Sequence, residues 1–247
     1  MHGLVIGLMA CFGLVVTAAV AMILVHRRHL REWRLSHPWA ASAGRGTMAL
    51  GAPRALPLPG RWLAVRSGHA AHVREILGLA ALIEPWSEAL SRAAERRFFV
   101  SGPVSGWTFV VGAALPDPAQ DIDALYRFLS RTSRHLGEVQ FFSMDRVVGH
   151  HAWARLRDGH VLRGYAWAGT TEWNEGRTTS EERWLRLHCH EYGESASIGW
   201  VGDATAEMEN AERVPLLARR WGMDLAAATE ILLHAEGVGL EGGGDTV

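Results

Sequence analysis

Residues 150–167 read HHAWARLRDGHVLRGYAW, two runs rich in aromatic and branched side chains on either side of Asp158-Gly159. An Asp-Gly pair supplies the positive φ angles of a two-residue type I′ turn. The stretch therefore predicts a β-hairpin with strands His150–Arg157 and His160–Trp167. In an unbroken register Leu156 faces Val161, Ala152 faces Tyr165 and Trp153 faces Gly164. The last pairing lets an aromatic ring cover a glycine that cannot cover itself.

Working outward, a strand over Glu138–Ser143 precedes the hairpin, and before it a helix is predicted from Pro118 to Leu136. Asp117 is suited to cap that helix, Pro118 fits the first helical position, and Gln120 takes the capping-box position. Ile122, Leu125, Tyr126, Leu129 and Leu136 form one apolar face, and Gly137 ends the helix. Nearer the N-terminus, Trp62–Val65 reads as a weak strand, 69–80 and 85–96 as helices. Phe98–Val100 and Trp107–Ala114 read as adjacent strands around a turn-rich Ser101–Gly106. After the hairpin, Thr179-Ser180-Glu181-Glu182 matches a capping box that opens a helix reaching past His188. Helices near 213–221 and 225–236 follow, and a Gly-rich acidic tail over 237–247 is expected to be disordered. The expected fold is α+β, an antiparallel or mixed sheet flanked by helices over 61–236, preceded by one N-terminal transmembrane helix.

That helix is expected over 1–25, because Gly3 to Val25 is an uncharged run of 23 residues. At about 1.5 Å per residue it matches the thickness of a bilayer core. From His26 to Arg66 eight arginines face one acid, Glu32, a net of +7, whereas the 181 residues beyond carry 17 Arg and 25 acids, a net of −8. Arginines beside a transmembrane end stay on the cytoplasmic side. Arg27, Arg28, Arg31, Trp33 and Arg34 thus form the anchor flank. The expected topology is single-pass in the inner membrane, N-terminus out, with the domain cytoplasmic. Residues 26–60 join the two as a basic juxtamembrane segment and a Pro/Gly/Ala linker. Gly3, Gly7 and Cys11 lie on one small-residue stripe that would let two such helices approach as a homodimer.

The wider segment VQFFSMDRVVGHHAWARLRDGHVLRGYAWAGTTEWNEG, residues 139–176, resembles a segment of uncharacterised bacterial proteins with a similar run of aromatic strands around an Asp-Gly turn. The resemblance covers residues 61–192 and leaves the anchor outside. It implies no activity, cofactor or partner.

Residues with chemical potential are few. The 13 histidines include His150-His151 at a strand start and His188-Cys189-His190-Glu191, read as helical. Neighbouring strand residues point to opposite faces, and helix positions two apart diverge by about 200°. Neither motif builds a metal site alone, so no metal and no cofactor is expected. Cys189, a turn beyond Leu185, reads as a buried inert thiol. The helical pair over 212–236 carries three Arg against more acids, and its second helix has none, which argues against nucleic-acid binding. Trp167 and Trp173 flank a loop-like stretch and, if exposed, are the anchors for a protein partner. The sequence thus points to a membrane-tethered, non-enzymatic interaction or regulatory domain, in contact with the bilayer and a protein partner. The competing reading is an enzyme with a pocket near His150, His151 and the 167–176 loop.

Overall fold

A computed structural model describes residues 58–79, 82–92, 97–194, 204–234 and 238–242. All of them fall in one unit, Leu58–Val247. The expected anchor, its arginine flank and the Gly3, Gly7, Cys11 stripe lie outside the described residues. Among the described residues no helix is long and apolar enough to cross a membrane.

In chain order the elements are β1 (Arg61–Val65), α1 (Ala70–Ile76), β2 (Leu82–Pro85), α2 (Trp86–Ser91), β3 (Phe98–Val100) and β4 (Thr108–Val111). Next come α3 (Ile122–Leu136), β5 (Glu138–Asp145), β6 (His150–Arg157), β7 (His160–Trp167) and β8 (Thr171–Glu175). Last are α4 (Ser180–Trp184), α5 (Ala204–Arg220), α6 (Leu225–His234) and β9 (Val238–Gly242). The strands form one sheet in the order β2-β9-β3-β4-β1-β5-β6-β7-β8. Every pairing in it is antiparallel. The fold is therefore α+β, and the mixed-sheet alternative is set aside. Residues 238–242, expected within a disordered tail, form a strand that pairs with both β2 and β3.

The hairpin turn forms as expected, with Asp158 at φ 52° and Gly159 at φ 82°. Its register holds at Leu156 and Val161, as expected, and departs beyond them. A bulge between Arg155 and Leu156 pairs Arg155 with Arg163, Trp153 with Tyr165 and Ala152 with Ala166, one residue away from the expected partners. Because side chains alternate along a strand, one extra residue moves everything beyond it to the other face. The bulge therefore places Arg163, Tyr165 and Trp167 on the face that carries His151 and Trp153. It sends Gly164 and Ala166 to the face of Ala152 and Ala154. Gly164 is still covered by an aromatic ring, but the ring belongs to Trp173 of β8: a Cβ at Gly164 would sit 2.5 Å from it.

The two faces of the sheet are different. On one, Leu125, Leu129 and Leu136 of α3 join Leu63, Val65, Val139, Phe141, Leu156 and Trp173 in an apolar core. The other face, under α5, holds Trp62 stacked on Phe142, with Phe142 against Trp221. It also holds most of the buried polar side chains described below.

Helix α3 starts later than Asp117. Its N-cap is Asp121, which accepts from the Ala124 amide at 2.8 Å. Asp117 instead accepts from the Ala119 amide and pairs with Arg61 of β1 at 3.3 Å. Helix α4 opens with the expected capping box of Thr179 and Glu182 but lasts one turn. Arg186 adopts φ 53°, and Leu187 donates to the Glu182 carbonyl at 3.0 Å, which closes the helix in a Schellman motif. His188 to Glu191 are therefore not helical.

Candidate functional site

The bulged hairpin carries two buried polar groups of residues on its α5 face. The first centres on Glu182. Its side chain is fully buried, and Arg163 donates to Oε1 from Nε at 2.9 Å. Trp153 Nε1 donates to the same oxygen at 2.8 Å, and the Thr179 amide donates to Oε2 at 2.7 Å. Arg163 spends its Nη1 donors on the Gly164 and Glu175 carbonyls and Asn174 Oδ1. A charge pair this deeply desolvated persists only when nearly every donor and acceptor is matched. Cys189 lies beside it, Sγ 3.4 Å from Arg163 Nη2. Burial pushes that thiol up to about 12, with Glu182 adding to the effect. Cys189 is half-buried, and it lies beside this ion pair and not on an apolar helix face.

The second group gathers the histidines through α5. His151 is 1 % exposed. Its Nδ1 faces the Gly149 carbonyl at 2.8 Å, and its Nε2 faces Asn210 Nδ2 at 3.2 Å. The tautomer that fits donates from Nδ1 and accepts at Nε2. Burial lowers the ring to about 4. Asn210 also donates to the His188 carbonyl at 2.6 Å and accepts from the His188 amide at 3.0 Å. The two histidine motifs, far apart in sequence, therefore meet on one asparagine. His190 stacks near Trp167, ring centres 4.5 Å apart, and reaches Glu207 at 3.2 Å. Among the described residues no group of three or more His, Cys, Asp and Glu is arranged to hold a metal ion.

Trp167 and Trp173 are 3 % and 6 % exposed, so the exposed aromatic anchors expected from sequence are not present. Trp173 is held against Gly164 by core packing and donates from Nε1 to Glu175. Trp167 lines a cavity instead.

That cavity, about 180 Å³, lies where β1, β5 and β6 meet the turn before α3. Its lining includes Arg61, Asp117, Ser143, Asp145, His150 and Trp167. His150, His151 and Trp167 belonged to the sequence-derived pocket. Arg61, Asp117, Ser143 and Asp145 did not. In sequence Arg61 is only the first residue of the folded domain and one of the eight arginines between His26 and Arg66, Asp117 reads as a helix cap, and no local pattern links β1 to the end of β5. The polar groups of this cavity are only partly used. Arg61 Nη1 serves the Leu115 carbonyl and Asp117, which leaves Nε and Nη2 without an acceptor among the described residues. Asp145 is exposed; its Oδ1 takes the Val147 and Val148 amides, and its Oδ2 takes no donor among the described residues. Ser143 is 9 % exposed and its hydroxyl has no partner among the described residues.

No family model matches the chain, and no curated protein or solved structure matches it.

Proposed function

We propose that the chain is a membrane-tethered regulatory domain, held at the cytoplasmic face by residues 1–25, which acts by recognition rather than by catalysis. The tether rests on the uncharged run and the arginines that follow it. Recognition rests on one contrast: the side chains with chemical reach are bound to one another, whereas those around the cavity keep free donors and acceptors. His151 has both ring nitrogens engaged, and Cys189 holds its proton, so neither is available as a base or nucleophile. A cavity with convergent polar groups is the ordinary form of a small-molecule site.

A second reading, an enzyme at the same cavity, is favoured by His150, a half-buried imidazole on the lining with no hydrogen-bond partner among the described residues. Incubating the full chain with a small-molecule extract separates the two. Recognition predicts a molecule retained in stoichiometric amount and recovered unchanged by native mass spectrometry. Time-dependent conversion by substoichiometric protein would establish the enzyme. The tether has its own check: a reporter fused after Val247 should read as cytoplasmic, and activity of a periplasm-dependent reporter there would overturn the orientation.

A further inference from the structure

We infer that Arg66, Arg155 and Arg157, gathered on the single carboxylate of Glu138, form a site for a phosphomonoester dianion, the chemistry shared by phosphorylated small molecules and some lipid headgroups. The site lies at the Glu138 end of β5, whereas the cavity lies at the Asp145 end.

Three neighbouring strands build it. Glu138 opens β5 and stands opposite Arg157 of β6, and Gln140 stands opposite Arg155. Residues directly opposite in an antiparallel pair share a face, so these four side chains fall on the face that carries Trp153. Arg66 follows the last residue of β1, and its amide donates to the Glu138 carbonyl at 2.9 Å. Glu138 is buried, Arg155 is half-buried, and Arg66 and Arg157 are exposed. The carboxylate is thus the floor of the group. Arg155 meets Oε1 from Nε at 2.9 Å and from Nη2 at 2.8 Å. Arg157 Nη2 meets Oε2 at 3.0 Å, and Arg66 Nη1 stands 3.8 Å from it. Burial works to raise the Glu138 carboxyl, but hydrogen bonds from Arg157 and Arg155 outweigh it and hold the group below its ordinary value. Glu138 therefore stays ionised at neutral pH.

Stoichiometry separates this group from an ordinary surface ion pair. Three guanidinium charges meet one carboxylate, which leaves a surplus of two positive charges repelling one another at close range. Two acids border the group, Asp158 in the turn and Glu181 of α4, and neither makes an ion pair with the three arginines among the described residues. Both reach solvent, so their repulsion of an incoming anion is screened. Donors also remain. Arg157 Nε and Nη1, Arg155 Nη1, and Arg66 Nε and Nη2 have no acceptor among the described residues. The Arg66 guanidinium sits over the Trp107 ring, 5.7 Å from its centre, which restricts where it can swing. A phosphomonoester brings close to two negative charges and three acceptor oxygens, enough to engage several guanidinium groups at once. A carboxylate brings half the charge and two oxygens.

The test is equilibrium dialysis of the full chain in neutral detergent micelles near pH 8 against labelled inorganic phosphate, with acetate as the monoanion. Phosphate should bind saturably at millimolar concentration or below, and acetate at least about tenfold more weakly, the loss expected for one charge-assisted hydrogen bond. Arg66→Gln and Arg157→Gln should each weaken phosphate binding by a similar factor and leave the melting temperature within a few degrees, because Arg155 keeps Glu138 paired. Arg131→Gln, an exposed arginine on α3 over the other face, should change nothing. Native mass spectrometry of the same micelles doped with phosphatidic acid or phosphatidylserine distinguishes the two sources. An excess of phosphatidic acid adducts, lost in both site variants, assigns the site to a lipid headgroup. Phosphate binding without that excess assigns it to a soluble phosphomonoester. Acetate binding as tightly as phosphate would overturn the dianion. Phosphate binding unchanged in both site variants would overturn the site, as would a folded chain that binds neither phosphate nor phosphatidic acid in excess.

Discussion

Arg163 and Glu182 meet Nε to Oε1 at 2.9 Å with side chains 1 % and 0 % exposed, and Glu182 is also the residue that closes the capping box of α4. One carboxylate thus starts a helix, neutralises a buried guanidinium and accepts from the Trp153 indole. Removing either partner strands the other charge, which typically costs about 3–5 kcal/mol. Glu182→Ala should therefore lower unfolding stability by that order in urea titrations. The double replacement Arg163→Met with Glu182→Leu should cost far less than the sum of the single changes. Additive losses would show that the pair is not coupled.

His151 makes stability depend on pH. Its folded-state value of about 4 lies below the ordinary value of about 6.5, so between those limits the unfolded chain binds a proton that the folded chain refuses. The stabilisation is complete above pH about 6.5 and is lost as pH falls toward 4. The gap corresponds to roughly 3 kcal/mol. Denaturation curves across this window should show that decline, and His151→Asn should flatten it at some cost in stability at neutral pH.

Cys189 should resist alkylation while the chain is folded. With the thiol held at about 12 against an ordinary value of about 8.5, the thiolate fraction near pH 8 falls by roughly a thousandfold. In a Cys11→Ser background, iodoacetamide labelling should be slow in buffer and fast in denaturant. Rapid labelling of the native chain would contradict the burial beside Arg163 and Glu182.

Trp173 separates packing from docking. Trp173→Ala removes the ring that covers Gly164 and should cost about 3–5 kcal/mol of stability, as buried aromatic truncations do. Gly164→Ala, whose new Cβ would sit 2.5 Å from the same ring, should cost about 1–3 kcal/mol by overpacking. An exposed docking anchor would predict an unchanged melting temperature for Trp173→Ala.

The elements that were legible in the sequence are those whose cause is local. The Asp158-Gly159 turn, the Thr179–Glu182 capping box and the apolar face of α3 depend on residues within a turn or two of each other. The bulge between Arg155 and Leu156 was not legible, because it is decided by which strand residue finds a buried partner, and Arg163 finds Glu182 from another element. The early end of α4 was hidden for a related reason. Its left-handed residue is Arg186, where a glycine would have announced the stop. The cavity was half visible. His150, His151 and Trp167 lie on the hairpin, but Arg61 and Asp117 reach it only through the β1–β5 pairing and the delayed start of α3. An inward-pointing arginine on a strand of aromatics was the one available signal of a polar interior, and it was readable only once the register was known.

Strand β9 pairs with β2 and β3, elements from the opposite end of the folded unit. A chain leaving the ribosome exposes the β3 edge long before residues 238–242 emerge, and contacts so distant in sequence form late. Until β9 arrives, β3 is an open strand edge able to pair with another nascent copy. The interval between translation of β3 and of β9 is therefore when this edge is most open to such pairing.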